Sequence, residues 1–166
     1  GTVIGNKAEF YNSTVQQIGH GGGIMVESGS LHLKGGIITG NKSSLGYTLG
    51  GQGGGIYINS GATLTIEGAP QITGNIRYSD DNKNNLYLSS GAVINIGTSG
   101  LTGGNETIGI SMQTLGTFTS DLNSAEKYSV FVSDNNHYET AASGTEAQLY
   151  TCWMGLVNKF NAGGDI

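Results

Sequence analysis

Asp80 and Asp81 stand together in the segment IRYSDDNKNN at 76–85, with Arg77 and Lys83 beside them, and are the only adjacent pair among the five aspartates. Carboxylate and amide oxygens suit a hard cation such as calcium, and convergent acids with a basic partner suit cleavage of polysaccharides. The segment matches the spacing of no calcium motif, so its first reading is a polar loop. An enzyme would need at least two of Glu27, Asp80, Asp81 and Glu106 in one cleft. His20, His32 and His137 are scattered along the chain, and only folding could gather them into a metal site or a triad. GGGIY at 53–57 lacks the Lys-Ser/Thr that completes a phosphate loop. Residue types and spacing therefore assign no catalytic residue, no metal and no cofactor.

A second set of residues carries binding chemistry. Met25, Tyr57, Tyr87 and Phe131 each lie between two aliphatic residues, as in Ile56-Tyr57-Ile58. If the flanking residues point inward in a strand, alternation turns the middle ones outward. They then form a Met-Tyr-Tyr-Phe column beside the longest connections, which add Phe10, Tyr11, Tyr47 and Tyr78. Two readings stay open: a groove in which aromatic faces meet a ligand, and a ladder in which they stabilise adjacent strands by roughly 0.2–1 kcal/mol per pair.

The elements that would place this column come from an internal repeat. GGGIMVESGSLHLKGGIITGN at 21–41 returns as GGGIYINSGATLTIEGAPQITGN at 53–75 and, more loosely, as NLYLSSGAVINIGTSGLTGGN at 85–105, while TVIGN at 2–6 matches the end of a unit. Ile24 to Ile56 is 32 residues and Ile56 to Leu86 is 30, a period typical of stacked repeats. Each unit predicts three short strands: the IMV, IYI and LYL triplets; then LHL, LTI and INI; then a shorter one around Val3, Ile38, Ile72 and Leu101. Glycine between them supplies the positive φ that tight corners need. Such a unit cannot bury its own interior, so successive units must stack as parallel sheets about 4.8 Å apart. Asn6, Asn41 and Asn75 recur at one corner, where amides can bond from layer to layer.

GGGIY, the LTI strand and ITGN resemble the repeats of bacterial right-handed parallel β-helix surface proteins. That broad group includes pectin-lyase-like folds and the polymorphic outer-membrane proteins of chlamydiae. The resemblance covers residues 1 to about 135. It implies an all-β, right-handed parallel β-helix with three short strands per coil and a C-terminal cap, and it implies an extracellular or cell-surface location. The same fold serves lyases, hydrolases, tailspikes and adhesins, so it is weak evidence for activity. In the third unit Gly103-Gly104 replaces the Gly-Asn corner, which interrupts the expected amide ladder there.

Residues 1–166 read as one β-helix domain: repeat coils over 1–105, less regular coils and a cap over 106–166, within a larger protein. Leu149, Trp153, Met154 and Leu156 are expected to cover the open end, with Cys152 an inert thiol beside them. The 30 glycines, single proline and 11% charged residues exclude collagen, coiled coil and charge-extended disorder. A net charge of -5 without a basic cluster argues against nucleic acid, and no apolar run is long enough to insert this segment in a membrane. The expected function is noncatalytic attachment to a host glycan or to a host surface or secreted protein, such as a mucin or an immunoglobulin. A polysaccharide-active enzyme or a plain spacer is the alternative.

Overall fold

The computed structural model describes residues 1–8, 19–43, 45–46, 49–77, 81–124 and 126–152. Among these the chain is all-β, its parallel strands lying in curled sheets. Ile24–Val26, Ile56–Ile58 and Leu86–Leu88 pair in parallel and in register, so that Ile24, Ile56 and Leu86 form one row and Met25, Tyr57 and Tyr87 the next. Ser30–Leu33, Thr63–Gly68 and Ile94–Leu101 pair in the same way, with Leu31, Leu64 and Ile94 in one row. Thr2–Ile4, Gly36–Thr39 and Pro70–Ile72 align Val3, Ile38 and Ile72. The strand Ile108–Met112 joins the first and third sets into one eight-stranded sheet, because it meets Ile72 at its start and Leu86–Leu88 along the rest. Antiparallel pairing joins the short strands Leu45–Gly46 and Leu49–Gly50 and, later in the chain, Tyr138–Ser143 and Glu146–Thr151, a hairpin that also holds Gly116–Thr117.

Alternation decides what is inside. Ile56, Ile58, Leu64, Ile66, Ile72, Leu86, Leu88 and Ile94 are fully buried, each contributing roughly 1.5–3 kcal/mol. The hairpin adds Ala147 and Leu149 to the same core. Two expectations need correction here. Phe131 does not extend the outward column. It is 1% exposed and meets Phe118 edge-on at 5.1 Å, because a 3-10 turn over Lys127–Val130 precedes its strand and Phe131 pairs with inward-facing Ile108. Leu101 does not begin the third strand of its unit either. It closes the long strand Ile94–Leu101 opposite Gly68, and Ile108 takes the place beside Ile72. Trp153, Met154 and Leu156 lie outside the described residues.

The Asn corner is a buried amide ladder. Oδ1 of Asn41 accepts from Asn6 N at 2.9 Å and from Asn6 Nδ2 at 3.0 Å, while its own Nδ2 donates to Asn75 Oδ1 at 2.9 Å. Asn41 and Asn75 are wholly buried, so each bond satisfies a group that would otherwise cost about 1–3 kcal/mol. In the third unit the ladder is not interrupted as the sequence suggested. Asn85, from the preceding corner, accepts from Asn75 N and Nδ2 at 2.8 and 3.0 Å and hands the ladder on to Asp134. The ladder also explains a glycine: a Cβ on Gly55 would lie 2.6 Å from Asn85 O and 2.8 Å from Asn75 Nδ2. Close approach, rather than positive φ, requires glycine at that position.

Candidate functional site

The outward row of the first sheet builds an aromatic stack. Tyr57 lies between His20, at 4.2 Å between ring centroids, and Tyr87, at 5.7 Å and 7° from parallel. In register with Tyr57, Met25 remains 46% exposed. Tyr57 is nearly covered, at 9% exposure, and its hydroxyl accepts from Ser89 Oγ at 2.9 Å. His20 Nδ1 accepts from Gln52 N at 2.9 Å, and burial pushes the imidazole pKa below its usual value, against the opposing charge of Glu27. A neutral ring stacked on Tyr57 follows. Tyr57 is thus the covered middle ring of the stack, with His20 and Tyr87 half-buried on either side of it.

Tyr87 is half-buried and stands in an open groove of about 800 Å³. The next residue in its row is Ser111, whose small side chain ends the aromatic succession. Ser111 Oγ accepts from Asn84 Nδ2 at 3.3 Å and donates to Asp134 Oδ2 at 3.0 Å. Asn84 is itself buried: its Nδ2 also donates to Gln52 Oε1 at 3.1 Å, and its Oδ1 accepts from Gly53 N. Asp134 accepts from Asn85 N at 2.6 Å and Asn85 Nδ2 at 2.5 Å. Burial raises the carboxyl pKa, against the hydrogen bonds from Asn85 and Ser111 and the charge of Lys83. The Tyr87 hydroxyl pKa is raised by burial first and by Tyr57 second, with Arg77 opposing. Asp134 and Ser111 thus bring the end of the amide ladder to the groove.

The polar loop lies at the rim of this groove. Arg77, Asp81 and Lys83 line it together with His137 and Tyr138, whereas Asp80, Tyr78, Tyr11, Tyr47 and Phe10 fall outside the described residues. Of the described acids named from the sequence, Asp81 alone lines the groove. Glu27 is exposed and its Oε1 accepts from Asn59 Nδ2 at 3.4 Å, and Glu106 is exposed at a turn with φ of 56°. His32 lies on the second sheet, 3.3 Å from Glu67, which also meets Lys34 at 3.2 Å. Among the described residues no group of three His, Cys, Asp or Glu is placed to hold a metal ion. Cys152 is unpaired, its thiol pKa raised by burial foremost, and Sγ donates to Asn136 O at 3.4 Å.

Asp134, Ser111 and the amides Gln52, Asn84 and Gln113 are among the groove residues that the sequence reading did not single out. The available signal was Asn84-Asn85 standing where the other units have Gly-Gly, since amides at a close-packed corner must bond to something. No protein family, curated protein or solved structure matches the chain.

Proposed function

We propose that this chain is a segment of a right-handed parallel β-helix, three short strands to a coil, with the 138–151 hairpin acting as its cap. We place it in a bacterial cell-surface or secreted protein, where it binds without catalysis and takes a glycan in the groove beside Tyr87. The observation that carries the reading is one tyrosine face left open at the end of a braced stack, over a floor of ordered amides. Aromatic faces bind the CH side of sugars, and planar amides read their hydroxyls. Tyr87 sits on a strand paired on two sides, so little ordering is lost on binding.

The test is binding of the chain to an array of glycans and to mucin and immunoglobulin with and without their glycans. Tyr87→Ser should lower glycan binding by about tenfold or more, the scale of a central aromatic contact, while circular dichroism stays unchanged. Unchanged binding by a folded Tyr87→Ser chain would exclude the groove. Equal binding to deglycosylated proteins would shift the reading to protein recognition. A polysaccharide-active enzyme remains the second reading because Asp81 and Asp134 both line the groove. Unsaturated or reducing-end products from pectin or alginate would establish it.

A further inference from the structure

The amide ladder has a direction, and its first member is only half satisfied. Asn41 shows the full set: its Oδ1 accepts from Asn6 N and Nδ2, and its Nδ2 donates to Asn75 Oδ1, to Thr39 O and, at 3.0 Å, to Val3 O in the layer before. Asn75 repeats the set, accepting from Asn41 and donating to Asn85 Oδ1, Thr73 O and Ile38 O. Asn6 donates to Asn41 Oδ1 and Ile4 O, but among the described residues its own Oδ1 meets no donor and its Nδ2 no carbonyl of a preceding layer. We infer that Thr2–Ile4 and Asn6 form a strand-accepting edge, whose ligand is an extended segment of the pattern aliphatic-x-Gly-Asn laid parallel on Thr2–Ile4.

The backbone is arranged for the same partner. Thr2 and Ile4 are in register with Ile37 and Thr39. Toward the preceding strand, Ile37 N donates to Gly1 O at 3.0 Å and Thr39 O accepts from Gly5 N at 3.4 Å. By that register the N–H of Thr2 and the C=O of Ile4 are directed away from Gly36–Thr39, on the side where the described residues supply no strand. Such a row of open groups is a template for one more strand. The side chains agree: Ile38, with Val3 and Ile72 on either side, is 5% exposed, whereas Val3, with a neighbour on one side, is only partly buried.

The ladder specifies the ligand. Val3-Ile4-Gly5-Asn6, Ile38-Thr39-Gly40-Asn41 and Ile72-Thr73-Gly74-Asn75 share an aliphatic residue, a glycine and an asparagine, and Gly5, Gly40 and Gly74 have φ of 70°, 65° and 69°. The left-handed glycine turns the chain so that the following amide enters the corner. A strand without Gly-Asn could pair with the edge but would leave Asn6 Oδ1 without its donors. A second copy of the chain does not fit. Its three motifs are already stacked, its matching edge offers the acceptor Asn6 Oδ1 again, and its ladder ends at the Asp134 carboxylate, which only accepts. The ligand is therefore a polypeptide segment other than residues 1–166 that carries the same motif. None of Thr2–Asn6 lines the groove beside Tyr87, so the inference stands apart from the glycan reading.

The probe is a blocked peptide copying residues 35–41, Gly-Gly-Ile-Ile-Thr-Gly-Asn. It is offered free and also tethered ahead of Gly1 by a flexible Gly-Ser linker, which holds it at millimolar effective concentration. Amide hydrogen exchange and the Asn6 side-chain NH₂ signals are followed by NMR, with the same peptide carrying Asn41→Leu as control. In the tethered chain the Thr2 N–H should exchange about tenfold or more slowly, and the Asn6 NH₂ signals should shift. The Asn41→Leu peptide should bind about tenfold more weakly. Slowing by the tethered segment supports the edge whether or not the free peptide binds measurably. Absence of slowing in the tethered chain would overturn the inference. Equal slowing by Asn41→Leu would overturn it too, since the ladder would then select nothing. A Thr2 N–H already protected without peptide would show the edge to be covered, and protection that grows with protein concentration would give it to a second copy; either result overturns the proposed ligand.

Discussion

Asp134 ends a ladder otherwise made of asparagine amides, and it is the only member that titrates. The carboxylate receives three hydrogen bonds, from Asn85 N, Asn85 Nδ2 and Ser111 Oγ, yet desolvation outweighs them and its folded pKa lies above the usual value. Lys83 is the cation acting on it. With the folded pKa raised, the folded chain holds the proton more tightly than the unfolded one, whose value is about 3.9. Stability from this group is therefore greatest below that value and falls as pH rises through the folded pKa. Glu67 runs the other way: its pKa is lowered, first by the hydrogen bond from Lys34, so its contribution is lost on acidification. The difference between wild type and Asp134→Asn isolates the first effect. An asparagine Oδ1 can accept from both nitrogens of Asn85, as Asn41 does from Asn6. Urea unfolding from pH 4 to 7 should show the variant gaining on the wild type as pH rises. A variant that loses ground across that window would show that the hydrogen bonds dominate and that Asp134 is a stabilising carboxylate.

Strand parity is the property of the elements on which everything else depends. Ile58 and Leu64 are wholly buried, whereas Thr65 faces outward in a row with His32 and Asn95. Ile58→Asp or Leu64→Asp puts an unpaired charge between layers and should abolish folding, since that penalty is comparable to the roughly 5–15 kcal/mol of a whole domain. Thr65→Asp should stay within about 1 kcal/mol of wild type. Circular dichroism and urea melts check both, and equal folding of the two classes would mean the parity is misassigned. This parity was legible in the sequence wherever a triplet recurred at the repeat offset. It failed at Phe131, where the turn at Lys127–Val130 resets which residue faces inward, a local event with no periodic signature. The corner Asn residues were legible for the same periodic reason. Asn85 and Asp134 were not, because the ladder follows space: its last steps come from a neighbouring corner and from a residue 49 positions on. The groove inherits that difficulty. Tyr87 could be named from its triplet, but the hydrogen-bonded floor beneath it depends on contacts that no spacing announces.

On the scale of the whole molecule, stability in a stack of layers is a sum of neighbour contacts, so a layer's resistance to opening depends on how many of its sides are covered. Among the described residues, Thr2–Ile4, Ile24–Val26 and Ser30–Leu33 pair on one side only, and Val3, Ile24, Leu31 and Leu33 are only partly buried. Ile56–Ile58 and Leu86–Leu88 pair on both sides, with their aliphatic residues fully enclosed. Native-state hydrogen exchange should accordingly be graded. Amides of Ile56–Ile58, Leu64–Ile66 and Leu86–Leu88 should exchange only through global opening, and those of Thr2–Ile4 and Ser30–Leu33 through cheaper local opening. Tyr87 belongs to the protected group, which matters for binding: a tyrosine on a strand that opens only globally loses little freedom when a ligand stacks on it. Uniform protection from Thr2 to Leu88 would mean that the layers open as one unit. Weak protection around Leu86–Leu88 would remove the rigid platform on which a sugar ring is proposed to rest.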